Sequence, residues 1–161
     1  MDAGGSTAAP ALGPPAIVFN GRRWTSDEVA EVAAGWLELI HDSLPRDAHL
    51  TAMLMANQPD AIALFFALSS LPHPVVLYHA DPRAWRSSPP IPPGTPLFIA
   101  PSLRALATAG EALGLRAVVL PEAHPPAGPT APAPFVTCPG FVNFTSGSTG
   151  LPKPVYITTR S

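Results

Sequence analysis

The chain has 161 residues, of which 47% are hydrophobic and only 12% are charged, and its formal net charge is −2. This length suits one domain, and the lack of any basic run in the sequence excludes the electrostatic footprint of a nucleic-acid-binding protein. Charged residues usually supply about 25% of a soluble domain, so we expect some apolar surface that needs a partner, either further chain or another subunit.

Residues 1–15 are rich in alanine, glycine and proline. They lack the basic segment and the long apolar segment of a secretory signal or a membrane anchor. We therefore expect a disordered tail, no membrane span and a cytoplasmic protein. The single cysteine, Cys138, excludes an internal disulfide, and it is predicted to be a small structural residue rather than a reactive thiol.

The first half of the chain alternates short apolar runs with helical periodicity. A strand is predicted over 16–20, and a helix begins at Thr25, where Glu28 stands at the spacing of a capping box. Apolar residues then recur at steps of three and four until Pro45 ends the helix. There follow a strand over 50–55, a largely apolar helix over 58–71 and a buried strand over 74–78.

The second half continues the alternation and then changes character. The predicted elements are a strand over 96–100, a helix over 102–113 with Gly114 as its cap, a strand over 117–120, a proline-rich linker over 121–134, and strands over 141–144 and 155–159. Such alternation is typical of an α/β domain. The predicted fold is a largely parallel sheet flanked by helices, ending in a strand, a Gly/Ser-rich loop and a strand.

The loop between the last two strands carries the strongest functional signal. Residues 143–153 read Asn-Phe-Thr-Ser-Gly-Ser-Thr-Gly-Leu-Pro-Lys. Glycine lets the backbone approach an anion closely, successive N–H groups form an anion nest, hydroxyls add donors, and lysine adds a compact positive charge. The glycine spacing is not that of a Walker A loop, and the residues after Lys153 favour a strand where that motif has a helix. A serine- and glycine-rich hairpin turn is the alternative interpretation.

The ordered string resembles the phosphate-loop signature of the adenylate-forming (AMP-binding) superfamily, which includes acyl-CoA synthetases, peptide-synthetase adenylation domains and luciferases. In that family the usual run is Thr-Ser-Gly-Ser-Thr-Gly-x-Pro-Lys-Gly. Residues 145–153 follow this run, and Pro154 stands where the final glycine is usual. The resemblance covers residues 16–161 as the N-terminal part of an AMP-binding domain. It implies that ATP is bound by Thr145, Ser146, Gly147, Ser148, Thr149, Gly150, Pro152 and Lys153.

The resemblance also implies a reaction. The family activates a carboxylic acid with ATP and Mg²⁺ to an acyl-adenylate, and usually transfers the acyl group to the thiol of coenzyme A or of a carrier protein. In the family, the residues that hold adenine, ribose, magnesium and the acid follow the loop, so no catalytic residue and no metal ligand is assigned in this chain. We expect the chain to be the N-terminal portion of such an enzyme, inactive alone, with the remainder of the enzyme or a second copy as partner.

Other interpretations remain open. A degenerate or split nucleotide-binding remnant that acts as an interaction module would also fit the low charge. An unrelated α/β phosphate binder is a third possibility, which a helix directly after Lys153 would indicate. The histidines show no metal-ligand spacing, so no metal site is predicted among His41, His49, His73, His79 and His124.

Overall fold

The computed structural model describes residues 16–87, 91–123, 138–145 and 153–159. The predicted tail over 1–15 and most of the predicted linker, residues 124–134, fall outside these ranges. The described chain opens with a two-stranded antiparallel sheet of β1 (Ala16–Phe19) and β2 (Arg22–Thr25). A separate six-stranded sheet follows.

The six-stranded sheet is parallel except at one edge. Its strands are β3 (Thr51–Met55), β4 (Val75–His79), β5 (Pro96–Ile99), β6 (Arg116–Val119), β7 (Gly140–Thr145) and β8 (Lys153–Thr158). They lie side by side in the order β6-β5-β3-β4-β7-β8. All neighbours pair in parallel except β7 and β8, which are antiparallel. The predicted α/β class, with a final strand, loop and strand, is confirmed.

Helices connect the strands within the described ranges. They are α1 (Ser26–Ser43), α2 (Pro59–Ser69), α3 (Ala107–Glu111) and the 3-10 helices Pro82–Ser87 and Pro101–Leu106. The predicted capping box begins α1, since Thr25 Oγ1 accepts from the Glu28 N–H at 3.2 Å and Glu28 Oε2 accepts from the Thr25 N–H at 2.7 Å. This backbone hydrogen bond from Thr25, assisted by Arg22, lowers the pKa of the Glu28 carboxyl.

Helices lie on both faces of the sheet. Phe65 of α2 stacks on Phe141, which shares a face with Val75 because the two are in register. Helix α3 lies against Leu97, which shares the opposite face with Val76. The core between the helices and the sheet is largely apolar, with Thr51, Ser69 and Thr95 as its buried polar residues, and its largest buried side chains are Trp36, Phe98, Ile40, Met53, Leu54 and Leu64. Among the described helices, none has both the length and the apolar character needed to cross a bilayer.

Two predicted elements differ from the structure. The single helix over 102–113 is wrong, because the segment begins as a 3-10 helix at Pro101 without a side-chain cap, and its α-helical part ends at Glu111. Strand β2 was not predicted, because its polar residues show no apolar alternation. The pair Asn20 and Gly21, with φ of 49° and 76°, forms the tight turn between β1 and β2. This dipeptide is a hairpin signal that could have revealed β2.

Candidate functional site

The loop singled out in the sequence joins the last two strands of the sheet. Thr145 of β7 lies opposite Lys153 of β8 in the final antiparallel pair. The backbone after Lys153 continues as a strand to Thr158, so the helix expected of an unrelated phosphate binder is not formed. Residues 146–152 between them lie outside the described residues, as do the side chains of Thr145 and Lys153. The predicted phosphate-binding residues among them are Ser146, Gly147, Ser148, Thr149, Gly150 and Pro152.

This hairpin projects from the carboxyl edge of the parallel strands. Strand β7 runs parallel to β4, with Val76 in register with Val142. Strands β3 to β6 run in the same direction, so β7 ends at Thr145 on the side of the sheet where these strands also end. In open α/β sheets, ligands bind outside this edge. The backbones of Thr145 and Lys153 therefore meet where this type of sheet places its ligands.

Aromatic side chains surround the end of β7. Phe144, directly before the loop, contacts Tyr78 with ring centroids 5.6 Å apart. Tyr78 in turn contacts Trp85 at 5.9 Å, and the Trp85 indole donates a hydrogen bond to the His79 carbonyl oxygen at 2.5 Å. Tyr78 is only 3% exposed, and this burial raises the pKa of its phenol. None of these residues was singled out in the sequence, because aromatic residues in an apolar segment are ordinarily part of a core.

The start of β7 is anchored to α2. The Cys138 N–H donates to the Ser69 carbonyl oxygen at 2.9 Å, and the Ser69 hydroxyl donates to the Phe65 carbonyl oxygen at 2.6 Å. The Cys138 side chain is 1% exposed, and burial raises the pKa of its thiol. Burial and a raised pKa are what a structural cysteine would have, since a nucleophilic thiol needs a lowered pKa, and the unreactive character of Cys138 stays a prediction.

A second concave region lies where the strand order reverses. The chain passes from β3 to β4 on one side of β3, and later to β5 and β6 on the other. A cavity of about 450 Å³ lies at this point, between the β1–β2 hairpin, α1 and the start of α2. Here the Asp60 carboxylate accepts hydrogen bonds from the N–H groups of Ala61 and Ser102, each at 2.9 Å. Because Asp60 already places a negative charge on these donors, this cavity does not suit a phosphate.

Two histidines act electrostatically on a third at the amino edge of the sheet. His41 lies in the last turn of α1, His49 precedes β3 and His73 precedes β4. Burial lowers the pKa of His73 most, and the charges of His41 and His49 lower it further. Within the described ranges, His73 Nε2 is buried without a hydrogen-bond partner, and no three His, Cys, Asp or Glu side chains are arranged to hold a metal ion. His124 lies outside the described residues.

Comparison with known proteins gives matches to solved structures. The sequence matches no model of a protein family and no curated protein sequence. The chain is similar to McyG A-PCP complexed with phenylalanyl-adenylate, at 17% identity and a TM-score of 0.51 over 89% of this chain. It is also similar to the luciferase-like enzyme from the nonluminescent Zophobas morio mealworm, at 16% identity and a TM-score of 0.54 over 86% of this chain. A third similar structure is the Klebsiella oxytoca NpsA N-terminal subdomain, at 16% identity and a TM-score of 0.54 over 90% of this chain.

The chain has the fold of the N-terminal part of adenylate-forming enzymes. This agrees with the resemblance carried by residues 145–153. The chain spans 25%, 37% and 38% of the lengths of these three solved chains. At such low identity the likeness to adenylate-forming enzymes concerns the fold, and the activity has to be inferred from the loop.

Proposed function

We propose that this chain is part of an adenylate-forming ligase, which activates a carboxylic acid with ATP to an acyl-adenylate. Residues 16–161 are the N-terminal part of the AMP-binding domain, and the loop holds the β- and γ-phosphates of ATP. The partners are a carboxylic acid and the thiol of coenzyme A or a carrier protein. The protein acts in the cytoplasm. The resemblance assigns no residue of this chain to the acid or to the adenosine.

One observation carries this proposal. The string that resembles the family's phosphate loop lies between two paired strands, at the ligand-binding edge of a sheet with the family's fold. A serine- and glycine-rich turn occurs at many sheet edges, but this order of residues is the one that resembles the family's phosphate loop, and it lies at the edge where such sheets bind ligands. The edge position also favours a ligand over a plain turn, since most parallel-sheet ligands bind there.

The roles of the loop residues follow from their chemistry. The hydroxyls of Thr145, Ser146, Ser148 and Thr149 donate hydrogen bonds, while Gly147 and Gly150 let the backbone N–H groups approach the phosphates. Pro152 stiffens the return of the chain, and Lys153 offsets the phosphate charge. In the reaction, a carboxylate oxygen attacks the α-phosphorus and the bond to pyrophosphate breaks. The loop stabilises the charge that moves onto the departing pyrophosphate.

Lys153 has a further property that supports this role. It is the only lysine in the sequence, whose nine basic residues otherwise are all arginines. Lysine is a compact point charge on a flexible stem, and arginine is a planar fork, so the two are not interchangeable at a phosphate. The one lysine of a chain with eight arginines thus stands at the position that the resemblance assigns to phosphate binding.

Magnesium would enter bound to the triphosphate of ATP. The loop offers donors and a positive charge, which fit the phosphate oxygens and not the metal. Among the described residues there is no cluster of carboxylates or histidines that could hold the ion. When bound, Mg²⁺ would neutralise part of the phosphate charge, and its protein ligand is not assigned to this chain.

The test uses the single lysine. An amine-acylating reagent has only Lys153 and the amino terminus to modify in this chain, and mass spectrometry separates the two. We expect MgATP, and also the magnesium complex of tripolyphosphate, to slow acylation of Lys153. The rate at which the amino terminus is acylated should stay unchanged. Acylation of Lys153 at the same rate with saturating MgATP would contradict binding at the loop.

A matched substitution tests the role in the reaction. In the gene product that carries these residues, Lys153→Ala should weaken ATP use in pyrophosphate exchange by about 1.5–3 kcal/mol, because one charge-assisted contact is lost. Lys153→Arg keeps the charge and should recover only part of the loss. Exchange that depends on a carboxylic acid supports the ligase, whereas MgATP binding without any exchange supports the non-catalytic remnant. Unchanged exchange in Lys153→Ala, with ATP below saturation, would remove Lys153 from the site.

A further inference from the structure

Strand β7 is held from both faces, but at different distances from the loop. On one face, Phe141 stacks on Phe65 of α2 with ring centroids 4.8 Å apart. Phe141 lies four residues before Thr145, which corresponds to about 13 Å of strand. On the other face, Phe144 is the last residue before Thr145, and it contacts Tyr78 of β4. The contact between Phe144 and Tyr78 is therefore the one nearest to the loop.

Tyr78 is fixed in turn by a segment that lies far from the loop in the sequence. Trp85 lies in the 3-10 helix Pro82–Ser87 and packs edge-on against Tyr78. Its indole donates to the His79 carbonyl oxygen, which ties this helix to the end of β4. Tyr78 and Trp85 are 3% and 4% exposed, so both rings are locked within the protein.

The backbone at Phe144 is also constrained. Its N–H donates to the Asn143 side-chain oxygen at 2.8 Å. A rotation of Phe144 would be passed directly to Thr145 and to its partner Lys153 across the hairpin.

We propose that Tyr78, supported by Trp85, is a positioning residue for the phosphate loop: its contact with Phe144 sets the end of β7 from which the loop starts. The inference that this contact tightens phosphate binding rests on the proposed function. The positioning itself rests on the aromatic contacts alone. Tyr78 acts through Phe144 and does not touch the nucleotide. The ring carries the effect, and the phenol oxygen does not.

The experiment compares three variants of the 161-residue chain. Tyr78→Leu removes the ring that contacts Phe144, and Tyr78→Phe keeps it. Phe65→Leu removes a ring of similar size from the contact that is farther from the loop. Two quantities are measured: the MgATP concentration that halves the rate of Lys153 acylation, and amide hydrogen exchange of Thr145 and Lys153 without nucleotide. Unfolding by urea is followed in parallel.

We expect Tyr78→Leu to raise the half-protecting MgATP concentration roughly two- to tenfold, in line with the strength of an aromatic pair. Exchange of the two hairpin amides should rise as well. Tyr78→Phe should match the wild type, and Phe65→Leu should lower stability without changing either loop readout. Equal effects of Tyr78→Leu and Phe65→Leu would show a merely structural role and overturn the inference.

The readouts separate this inference from the proposed function. If MgATP protects Lys153 equally in the wild type and Tyr78→Leu, the positioning role is wrong and the proposed function stands. If MgATP gives no protection in the wild type, the proposed phosphate binding is wrong, and hydrogen exchange then tests the positioning role by itself. Faster exchange of the hairpin amides in Tyr78→Leu alone upholds that role, and unchanged exchange rejects it. Should Tyr78→Leu not fold, Trp85→Leu, which removes the outer ring, takes its place.

Discussion

At the scale of single residues, the place of Pro154 in the β7–β8 ladder explains how a proline is tolerated where the family usually has glycine. The Thr159 N–H donates to the Pro139 carbonyl oxygen, and hydrogen-bonded pairs of an antiparallel ladder recur every second residue. Pro154 lies opposite Phe144, five steps from that pair, so it falls in a non-hydrogen-bonded pair. Its missing N–H therefore costs no bond to β7. It faces the open edge of the sheet, where proline also discourages pairing with other strands.

Gly140 is the residue of β7 where a side chain is least tolerated. A Cβ atom there would collide with the Ile157 carbonyl oxygen and would lie 2.9 Å from Cζ of Tyr156. The colliding oxygen belongs to the backbone, so relief requires the hairpin to shift. We expect Gly140→Ala to destabilise the protein by about 1–3 kcal/mol, the usual cost of overpacking. The urea midpoint, at unchanged m-value, measures this loss.

Gly110→Ala provides the control for Gly140→Ala. Its Cβ would meet only the Leu97 side chain, above all the Cδ2 methyl at the far end of that flexible side chain. Alanine is also the better helix former, by about 1 kcal/mol in a helix interior. Gly110→Ala should therefore lose less stability than Gly140→Ala, and a greater loss would show that backbone approach is not what makes Gly140 necessary.

At the scale of elements, three connecting segments meet at the amino edge of the sheet, each with one histidine. The end of α1 brings His41, the turn before β3 brings His49, and the turn before β4 brings His73. None of these segments contains a metal-binding pattern. Their meeting nevertheless has an electrostatic consequence, because burial and the two neighbours lower the pKa of His73 below its usual 6.5.

The lowered pKa of His73 predicts a pH dependence of stability. Between the folded-state pKa and 6.5, the unfolded chain binds more protons at this residue than the folded chain does, so stability increases with pH. The contribution of His73 to the free energy of unfolding is therefore complete above pH 6.5 and is lost as the pH falls below that value. We expect the urea midpoint to fall from pH 7.5 to pH 5.5, and to fall less in His73→Gln.

Salt distinguishes the causes of the His73 shift. Burial is the larger cause and is insensitive to ionic strength, whereas the charges of His41 and His49 are screened. The wild type should therefore still show a larger fall of the urea midpoint between pH 7.5 and pH 5.5 than His73→Gln does in high salt. An identical fall of the midpoint in both proteins would show that His73 does not contribute.

At the scale of the whole molecule, the last strand leaves apolar surface uncovered. Val155, Tyr156 and Ile157 are 40%, 49% and 50% exposed. Neighbouring residues of a strand point to opposite faces, so β8 has exposed side chains on both faces, and among the described strands it lies at the edge of the sheet. This is the surface on which we expect further chain or a second copy to pack, as the low charge of the sequence indicates.

The whole molecule also sets a limit on activity. The chain spans at most 38% of the three solved chains described above, and the resemblance assigns none of its residues to the acid, adenine or ribose. Alignment of two reactants can supply roughly 7–11 kcal/mol of the barrier, and the loop alone cannot provide it. We expect no acid-dependent pyrophosphate release when the 161-residue chain is mixed with ATP, Mg²⁺ and a panel of fatty and aromatic acids. Release that Lys153→Ala abolishes would contradict this expectation.

The sequence by itself determined the features that depend on near neighbours. The capping box of α1 needs only Thr25 and Glu28, three residues apart, and the alternation of strands and helices follows from local periodicity. The phosphate-loop string is also contiguous, so it was found without a structure. The 3-10 helix after Pro101 was misread because a short apolar segment has the same composition in either helix type.

Only the tertiary structure decided which distant residues meet. Asp60 binds the backbone of Ser102, 42 residues away, and Tyr78 reaches Phe144 because β4 and β7 are neighbours in the sheet although two strands intervene in the chain. The charges of His41 and His49 act on His73 for the same reason. Strand order results from how the whole core packs, and local sequence patterns carry no record of it.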